Sequence, residues 1–286
     1  MTTTPSRLRC LIIPCETRSR EFDAKLLLAL VAANRGIEVF IGAKKLVDNR
    51  LDRFPPGVYL GKGLGDRARI GLRLALACGH ELALWDEEGL VWSSPEVYWH
   101  TKIHGPNLAL PGQMLAWGEA NAAAWRMHPQ WADAPLAVVG NPRMDLLRPR
   151  LRGLYQAEVE ELNRRHGRFV LINTNFSRVN NYQPRQNRHL KWLREHKPDD
   201  PRGGFARHKL NLFEAFLEML PQLCQARPQT RFVLRPHPSE AMAVWQSIAA
   251  EIPNLIVERD GGIVPWLLAA DAVIHNGCTT AVEAWM

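Results

Sequence analysis

The segment Arg231–Glu240, RFVLRPHPSE, runs from an apolar stretch directly into an arginine and a histidine set between prolines. Proline fixes its own φ and disfavours the helical region for the residue before it, so Arg235 and His237 are offered from a stiff, extended segment. A guanidinium pairs bidentately with phosphate, and an imidazole can donate to phosphate or take a proton. A satisfied interior histidine is the competing reading of His237. A second polar loop, His275-Asn276-Gly277-Cys278-Thr279-Thr280, follows the apolar run Ala272–Ile274 and opens what reads as a helix. Backbone N–H groups at such an opening, with the hydroxyls of Thr279 and Thr280, form a cradle for an anion. The alternative is plain capping, with Glu283 completing a capping box; a glutamate at that depth could equally accept from a ribose. A third loop, Asn173-Thr174-Asn175-Phe176, follows the run FVLI. In open parallel sheets ligands bind outside the carboxyl ends of the strands, so these three loops make one site provided their strands are neighbours.

The first half carries its chemistry in WDEEGL, where Asp86, Glu87 and Glu88 are followed by Gly89. An extended backbone puts Asp86 and Glu88 on one face. Carboxylates act as nucleophile or base in glycosyl transfer and hydrolysis, and a solvated acidic turn is the alternative. The glycines of YLGKGLGD lack a ribose-binding acid in the right context and are not read as a dinucleotide site. GNPRMDLL reads as architecture, a turn followed by a helix that Asp145 could cap. The five cysteines include no Cys-x-x-Cys pair, and no metal site is expected.

Elements that could position these residues alternate in type. Apolar runs such as LRCLIIPCE, IEVFIGA, ELALWDEEG, QMLAWG and PLAVVGN read as strands, and SREFDAKLLLALVAANRG reads as a helix capped by Ser19 and stopped by Gly36. A charged stretch follows, the boundary is placed near Pro149, and the pattern restarts with FVLINTNF, a helix from HKLNLF, then RFVLRPHP, NLIVERD and DAVIHNG. Strands alternating with helices predict parallel sheets built from βαβ units. The fold class is therefore α/β, with two Rossmann-like domains at residues 1–149 and 150–286. A polar insertion, SRVNNY through GGFAR, is long for a connection between a strand and its helix.

With 286 residues, two domains is the natural prior, and 46% hydrophobic content is enough for two cores. The formal net charge of +7 admits nucleic acid, an anionic membrane surface or a phosphate-bearing substrate as partner. Scattered arginines, and tryptophans in apolar contexts, argue against nucleic acid. The N-terminal apolar run is too short for a signal segment or a membrane span, and the odd number of cysteines fits a reducing cytoplasm. The chain stops inside TTAVEAWM, one helix into a βα unit, so the second domain is expected to be incomplete.

Together, VVGNPRMDLL, VLINTNF, LRPHPSE, AADAVIHNGCTTAVEAW and WDEEGL resemble bacterial surface-carbohydrate biosynthesis proteins related to the retaining Kdo transferases of capsule and lipopolysaccharide assembly. Teichoic-acid polymerases and UDP-sugar epimerases carry similar pieces. The resemblance implies a glycosyltransferase of GT-B type, two facing Rossmann-like domains with the donor nucleotide in the C-terminal one. His237 and Pro238 then match the family's His-Pro motif at the donor phosphate, and Asn276, Gly277, Thr279, Thr280 and Glu283 line the same pocket beside Asn173, Asn175 and Arg235. An N-terminal carboxylate, Asp86 ahead of Glu88, faces the anomeric carbon. The implied partners are a nucleotide-sugar, CMP-Kdo being one candidate, and a glycan or glycolipid acceptor. No cofactor is implied; the expected location is the cytoplasm, with peripheral membrane contact where the acceptor is lipid-linked. A sugar-nucleotide epimerase, a polyol-phosphate transferase and a non-catalytic binding subunit are the competing readings.

Overall fold

The computed structural model describes residues 10–197 and 199–286. The chain divides into two compact units, one ending at Arg148 and the other starting at Pro149.

The first unit holds six parallel strands, β1 Cys10–Cys15, β2 Glu38–Ala43, β3 Val58–Gly61, β4 Glu81–Trp85, β5 Gln113–Ala116 and β6 Leu136–Val138, in the order β2-β1-β3-β4-β5-β6. The start of the first expected strand, Leu8 and Arg9, lies outside the described residues. Strand β3 was not anticipated: four residues between a proline pair and a glycine-rich loop give too short a run to show a period. It matters, because it makes β1 and β3 neighbours at the point where strand order reverses, and crevices at such switch points take ligands. The helix after β1 spans Arg18–Ala33 and begins before Ser19; Thr17 stands at its cap position without a side-chain cap bond. Gly36 does end it, at φ +76°, with Ile37 N–H returning to the Ala32 carbonyl at 3.2 Å. In GNPRMDLL the cap of the short helix Pro142–Asp145 is Asn141, whose Oδ1 accepts from Arg143 N–H at 3.0 Å, while Asp145 pairs with Arg148 at 2.8 Å.

The second unit holds β7 Phe169–Thr174, β8 Arg231–Pro236, β9 Leu255–Val257 and β10 Ala272–His275, all parallel, in the order β10-β7-β8-β9. Both faces of this sheet are covered at β7 and β8, which is why those strands read as unbroken apolar runs. Ile172, Phe232 and Leu234 pack with Phe176, Leu220 and Trp245, while Leu171 and Val233 pack on the other face with Phe169 and Trp266. The polar insertion is partly helical: Arg188–Glu195 forms one helix, and the long helix Pro201–Ala226 starts ahead of the expected His208 because Asp200 Oδ1 caps it through Arg202 N–H at 2.8 Å. The start of the insertion is stitched to the Arg-Pro-His-Pro loop by an antiparallel bridge between Asn181 and Glu240, and Tyr182 N–H donates to the Ser239 carbonyl at 3.1 Å. Among the described residues, no helix is long and apolar enough to cross a membrane.

Candidate functional sites on two sheet edges

The condition set by the second sheet is met. Strand β7 lies between β10 and β8, and the register aligns His275 with Asn173 and Asn173 with Arg235, so the three polar loops leave one carboxyl edge side by side. Asn173 Nδ2 donates to Thr280 Oγ1 at 3.3 Å, and Asn175 N–H donates to Asn276 Oδ1 at 2.8 Å. His237 N–H donates to the Thr174 carbonyl at 3.1 Å. Ser239 N–H donates to His237 Nδ1 at 3.1 Å, so the neutral imidazole carries its proton on Nε2 and presents a donor there. Asn175, Pro238 and Gly277 are exposed, His237, Thr279 and Thr280 are half-buried, and Asn173 and Asn276 are buried behind them. Gly277 sits at φ +88°, a conformation that spares only glycine strain and that turns the loop into the helix Thr280–Trp285. Thr279, at the cap position, makes no side-chain cap bond, and Thr280 Oγ1 lies 2.5 Å from Cys278 Sγ, so the capping-box reading does not hold. Glu283 is buried.

Arg235 departs from expectation. Its guanidinium donates to the carbonyls of Asp260 at 2.7 Å and Gly261 at 2.6 Å and lies over the Trp266 ring at 5.1 Å. Desolvation lowers its pKa to about 10, and a side chain so engaged anchors the β8 exit to the Asp260–Gly261 turn instead of meeting a phosphate. The reason the loop is stiff was also only half visible in its prolines. Glu240 is completely buried, and its carboxylate accepts from Thr174 Oγ1 at 3.0 Å, Phe176 N–H at 2.9 Å, His237 N–H at 3.2 Å and Trp245 Nε1–H at 3.0 Å. Burial raises its pKa, against the pull of those four donors. Arg259 clamps the same loop from outside, donating to the carbonyls of Pro238 at 3.0 Å and Glu240 at 3.2 Å. The acid in PSE was a signal of this role; nothing in the sequence singled out Arg259.

On the first sheet, the β1/β3 crevice collects charge that sequence reasoning missed. Buried Lys25 donates to Glu21 Oε2 and the Pro14 carbonyl, each at 2.7 Å, and lies 3.5 Å from Glu87 Oε1. Lys62, from the glycine-rich loop after β3, reaches Glu21 at 2.7 Å and also pairs with Glu16. Burial works to raise the Glu21 pKa, yet the two ammoniums hold it at about 2, while Lys62 is raised by Glu16 and Glu21 in spite of burial. The i, i+4 spacing of Glu21 and Lys25 was the available signal. Lys25→Met leaves Glu87 buried without its cation and Glu21 with Lys62 alone, and is expected to cost the first unit ~3 kcal/mol in urea unfolding; a cost under ~1 kcal/mol would mean the cluster is hydrated.

The three adjacent carboxylates separate into different roles. Asp86, favoured by sequence as the attacking group, is 3% exposed: Tyr98 donates to its Oδ2, Glu88 N–H donates to Oδ1 at 3.0 Å, and Trp117 Nε1–H donates to its carbonyl at 2.5 Å. Both oxygens are engaged inside the unit, so the assignment of Asp86 to the anomeric carbon is corrected. Glu87 is buried against Lys25. Glu88 alone reaches solvent, with its side chain 48% exposed and paired with Lys102; burial would raise its pKa, but Lys102 outweighs that and keeps it ionised. Desolvation lifts Asp86 to about 6, above the roughly 3.9 of an unfolded aspartate. The folded state therefore holds that proton more tightly, and the associated stability is present below about pH 4 and lost as pH rises through about 6. Asp86→Asn should remove this component: the wild-type loss of stability between about pH 5 and about pH 7.5 shrinks by ~1–2 kcal/mol in the variant. An unchanged pH slope would refute the assignment.

Among the described residues, no cluster of three or more histidine, cysteine, aspartate or glutamate side chains is arranged to hold a metal. No family model matches the sequence, and no curated protein matches it. Solved structures do match in fold. The structure of S. aureus MnaA with UDP superposes with a TM-score of 0.58 at 12% identity, over 94% of this chain and 74% of that one. The UDP-GlcNAc 2-epimerase from Methanocaldococcus jannaschii superposes with a TM-score of 0.55 at 12% identity, over 97% of this chain and 81% of that one. The expected α/β fold with Rossmann-like parallel sheets is the fold observed.

Proposed function

We propose that this protein is an enzyme acting on a nucleotide-sugar, with the nucleotide phosphates held by the second unit. The observation that carries the reading is the alignment of His275, Asn173 and Arg235 across β10, β7 and β8, which gathers the Asn175, His237 and Gly277–Thr280 segments on one carboxyl edge. In the proposal, His237 Nε2–H, the Thr279 and Thr280 hydroxyls and the backbone around Gly277 donate to phosphate oxygens. Arg235 and Glu240 hold those groups in place without touching the ligand. Glu88, ionised beside Lys102, serves as general base or nucleophile.

Sugar-nucleotide epimerisation is the reading favoured here. One fold neighbour is a UDP-GlcNAc 2-epimerase and the other was solved with UDP, which supports a UDP-sugar as ligand. Glycosyl transfer, including Kdo transfer from CMP-Kdo to a cell-surface glycan or glycolipid, is the second reading and rests on the WDEEGL, RPHP and HNGCTT motifs. Calorimetry with UDP and CMP, followed by product analysis of UDP-GlcNAc incubated without acceptor, decides between them. The expected result is UDP binding and a new sugar isomer. CMP-Kdo turnover that requires an acceptor would instead favour transfer, and an intact protein that binds no nucleotide would sink both. His237→Ala is expected to weaken UDP binding ~10-fold, the loss of about one charge-assisted hydrogen bond.

A further inference from the structure

We propose that residues 177–196 of the polar insertion form an acid-labile strap on the loop that carries His237, with His189 as its pin. The strap holds that loop through backbone and amide contacts. Asn181 pairs with Glu240 in the antiparallel bridge, Ala241 N–H donates to the Asn180 carbonyl at 2.9 Å, and Asn180 Nδ2 donates to the Ala241 carbonyl at 3.1 Å. The strap is also closed on itself: Asn181 N–H donates to Asn187 Oδ1 at 2.6 Å, and His189 N–H donates to the Arg178 carbonyl at 3.1 Å. His189 joins these ties to the long helix. Its ring centre lies 5.4 Å from that of Trp192, on its own helix, and 5.4 Å from that of Phe205, on the long one.

Protonation decides when the pin holds. His189 is 4% exposed, and neither of its ring nitrogens has a hydrogen-bond partner among the described residues. The charged groups facing it are Arg178, on the segment after β7, and Lys209, on the long helix, and both are positive. An imidazolium there would be desolvated, without an acceptor, and repelled from two sides. The Phe205 ring offers it little, because the Lys209 ammonium already lies 5.6 Å from that ring's centre. Burial first, then Arg178 and Lys209, hold the His189 pKa down to about 4, against about 6.5 for a released imidazole. A base depressed by folding stabilises the closed state above its unfolded pKa, and that contribution is lost as pH falls from about 6.5 toward about 4. Neutral His189 therefore keeps the strap pinned near neutrality, and mild acid favours its release together with the Asn180–Tyr182 contacts. An apolar side chain would pin the strap at every pH; a histidine makes the hold conditional. The inference rests on the nucleotide-sugar reading only in naming the held loop as one that binds phosphate.

Hydrogen exchange of the full chain, expressed as protection factors so that the intrinsic pH dependence drops out, tests the proposal. Between about pH 7 and about pH 5, protection of the Asn181, Tyr182 and Ala241 amides is expected to fall about tenfold or more. At the lower pH these amides should exchange faster than those of Leu171 and Val233, which lie in the core of the sheet. His189→Leu should abolish the acid effect. Lys209→Met, which removes one repelling charge and keeps an apolar stem beside Phe205, should shrink it, and it decides the matter where the leucine variant fails to fold. Protection that acid leaves unchanged in the wild type, or that falls as far in the variants as in the wild type, would overturn the proposal. So would strap amides that exchange no faster than Leu171 and Val233, because the unit would then open as a whole. The measurement uses no nucleotide, so the strap and the nucleotide-sugar reading can each fail alone; a protein that binds no UDP would still show or lack the acid effect.

Discussion

Glu240→Ala is expected to destabilise the second unit by ~3–5 kcal/mol, the largest loss from any single side chain in it. Four donors converge on this carboxylate: the Thr174 hydroxyl, the Phe176 and His237 amides and the Trp245 indole. They come from the exits of β7 and β8 and from the helix Met242–Ala249, so one side chain ties two strand ends and a helix together. Alanine leaves the Thr174 hydroxyl, the Phe176 amide and the Trp245 indole without this acceptor, while His237 N–H keeps the Thr174 carbonyl, and each buried orphan costs ~1–3 kcal/mol before relaxation. Glutamine keeps the shape but turns an amide N–H₂ toward two of those donors, so it should recover only part of the loss. Urea unfolding followed by tryptophan fluorescence measures both variants. A loss under ~1 kcal/mol for alanine would show that the loop is held by its prolines and Arg259, and Glu240 would lose its organising role.

The second large effect concerns turnover. Glu88→Gln should lower the catalytic rate by ~10³-fold or more while leaving UDP affinity unchanged, because it removes the ionised carboxylate and little else. The exposed pair with Lys102 contributes little to stability, so the variant should fold as the wild type does. Asp86→Ala is expected to behave in the opposite way: it orphans Tyr98 and the Glu88 amide inside the unit and loses activity through loss of fold. Comparing rate, UDP affinity and melting temperature for the two variants separates these outcomes. Full activity in Glu88→Gln would remove Glu88 from the mechanism and leave the second unit's nucleotide reading standing.

How much of this was legible in the sequence depended on which forces write themselves locally. The second sheet was readable because strands covered on both faces become unbroken apolar runs, and because polar residues placed just after them mark the carboxyl edge. The neighbouring of β10, β7 and β8 was not readable, since strand order is a tertiary fact; the sequence supplied only the condition. Strand β3 escaped because four residues carry no period, and with it went the β1/β3 crevice and the role of Lys62. Arg235 was misplaced for a related reason. Residue type announces affinity for phosphate, but the carbonyls of Asp260 and Gly261 compete for the same guanidinium and lie 25 and 26 residues away. Asp86 was misjudged because burial separates adjacent carboxylates that spacing alone treats as equals.

The position of β10 has a consequence in time. Among the described residues it is a four-residue strand at the edge of its sheet, paired with β7, which lies on the order of a hundred residues earlier in the chain. Contacts so distant in sequence form late in folding and, at an edge, reopen first. The loop carrying Asn276 to Thr280 is therefore only as persistent as the docking of that strand. A ligand spanning the β10 and β7 exits would act as a latch, slowing hydrogen exchange of the Val273 and His275 amides more than that of any amide in β8.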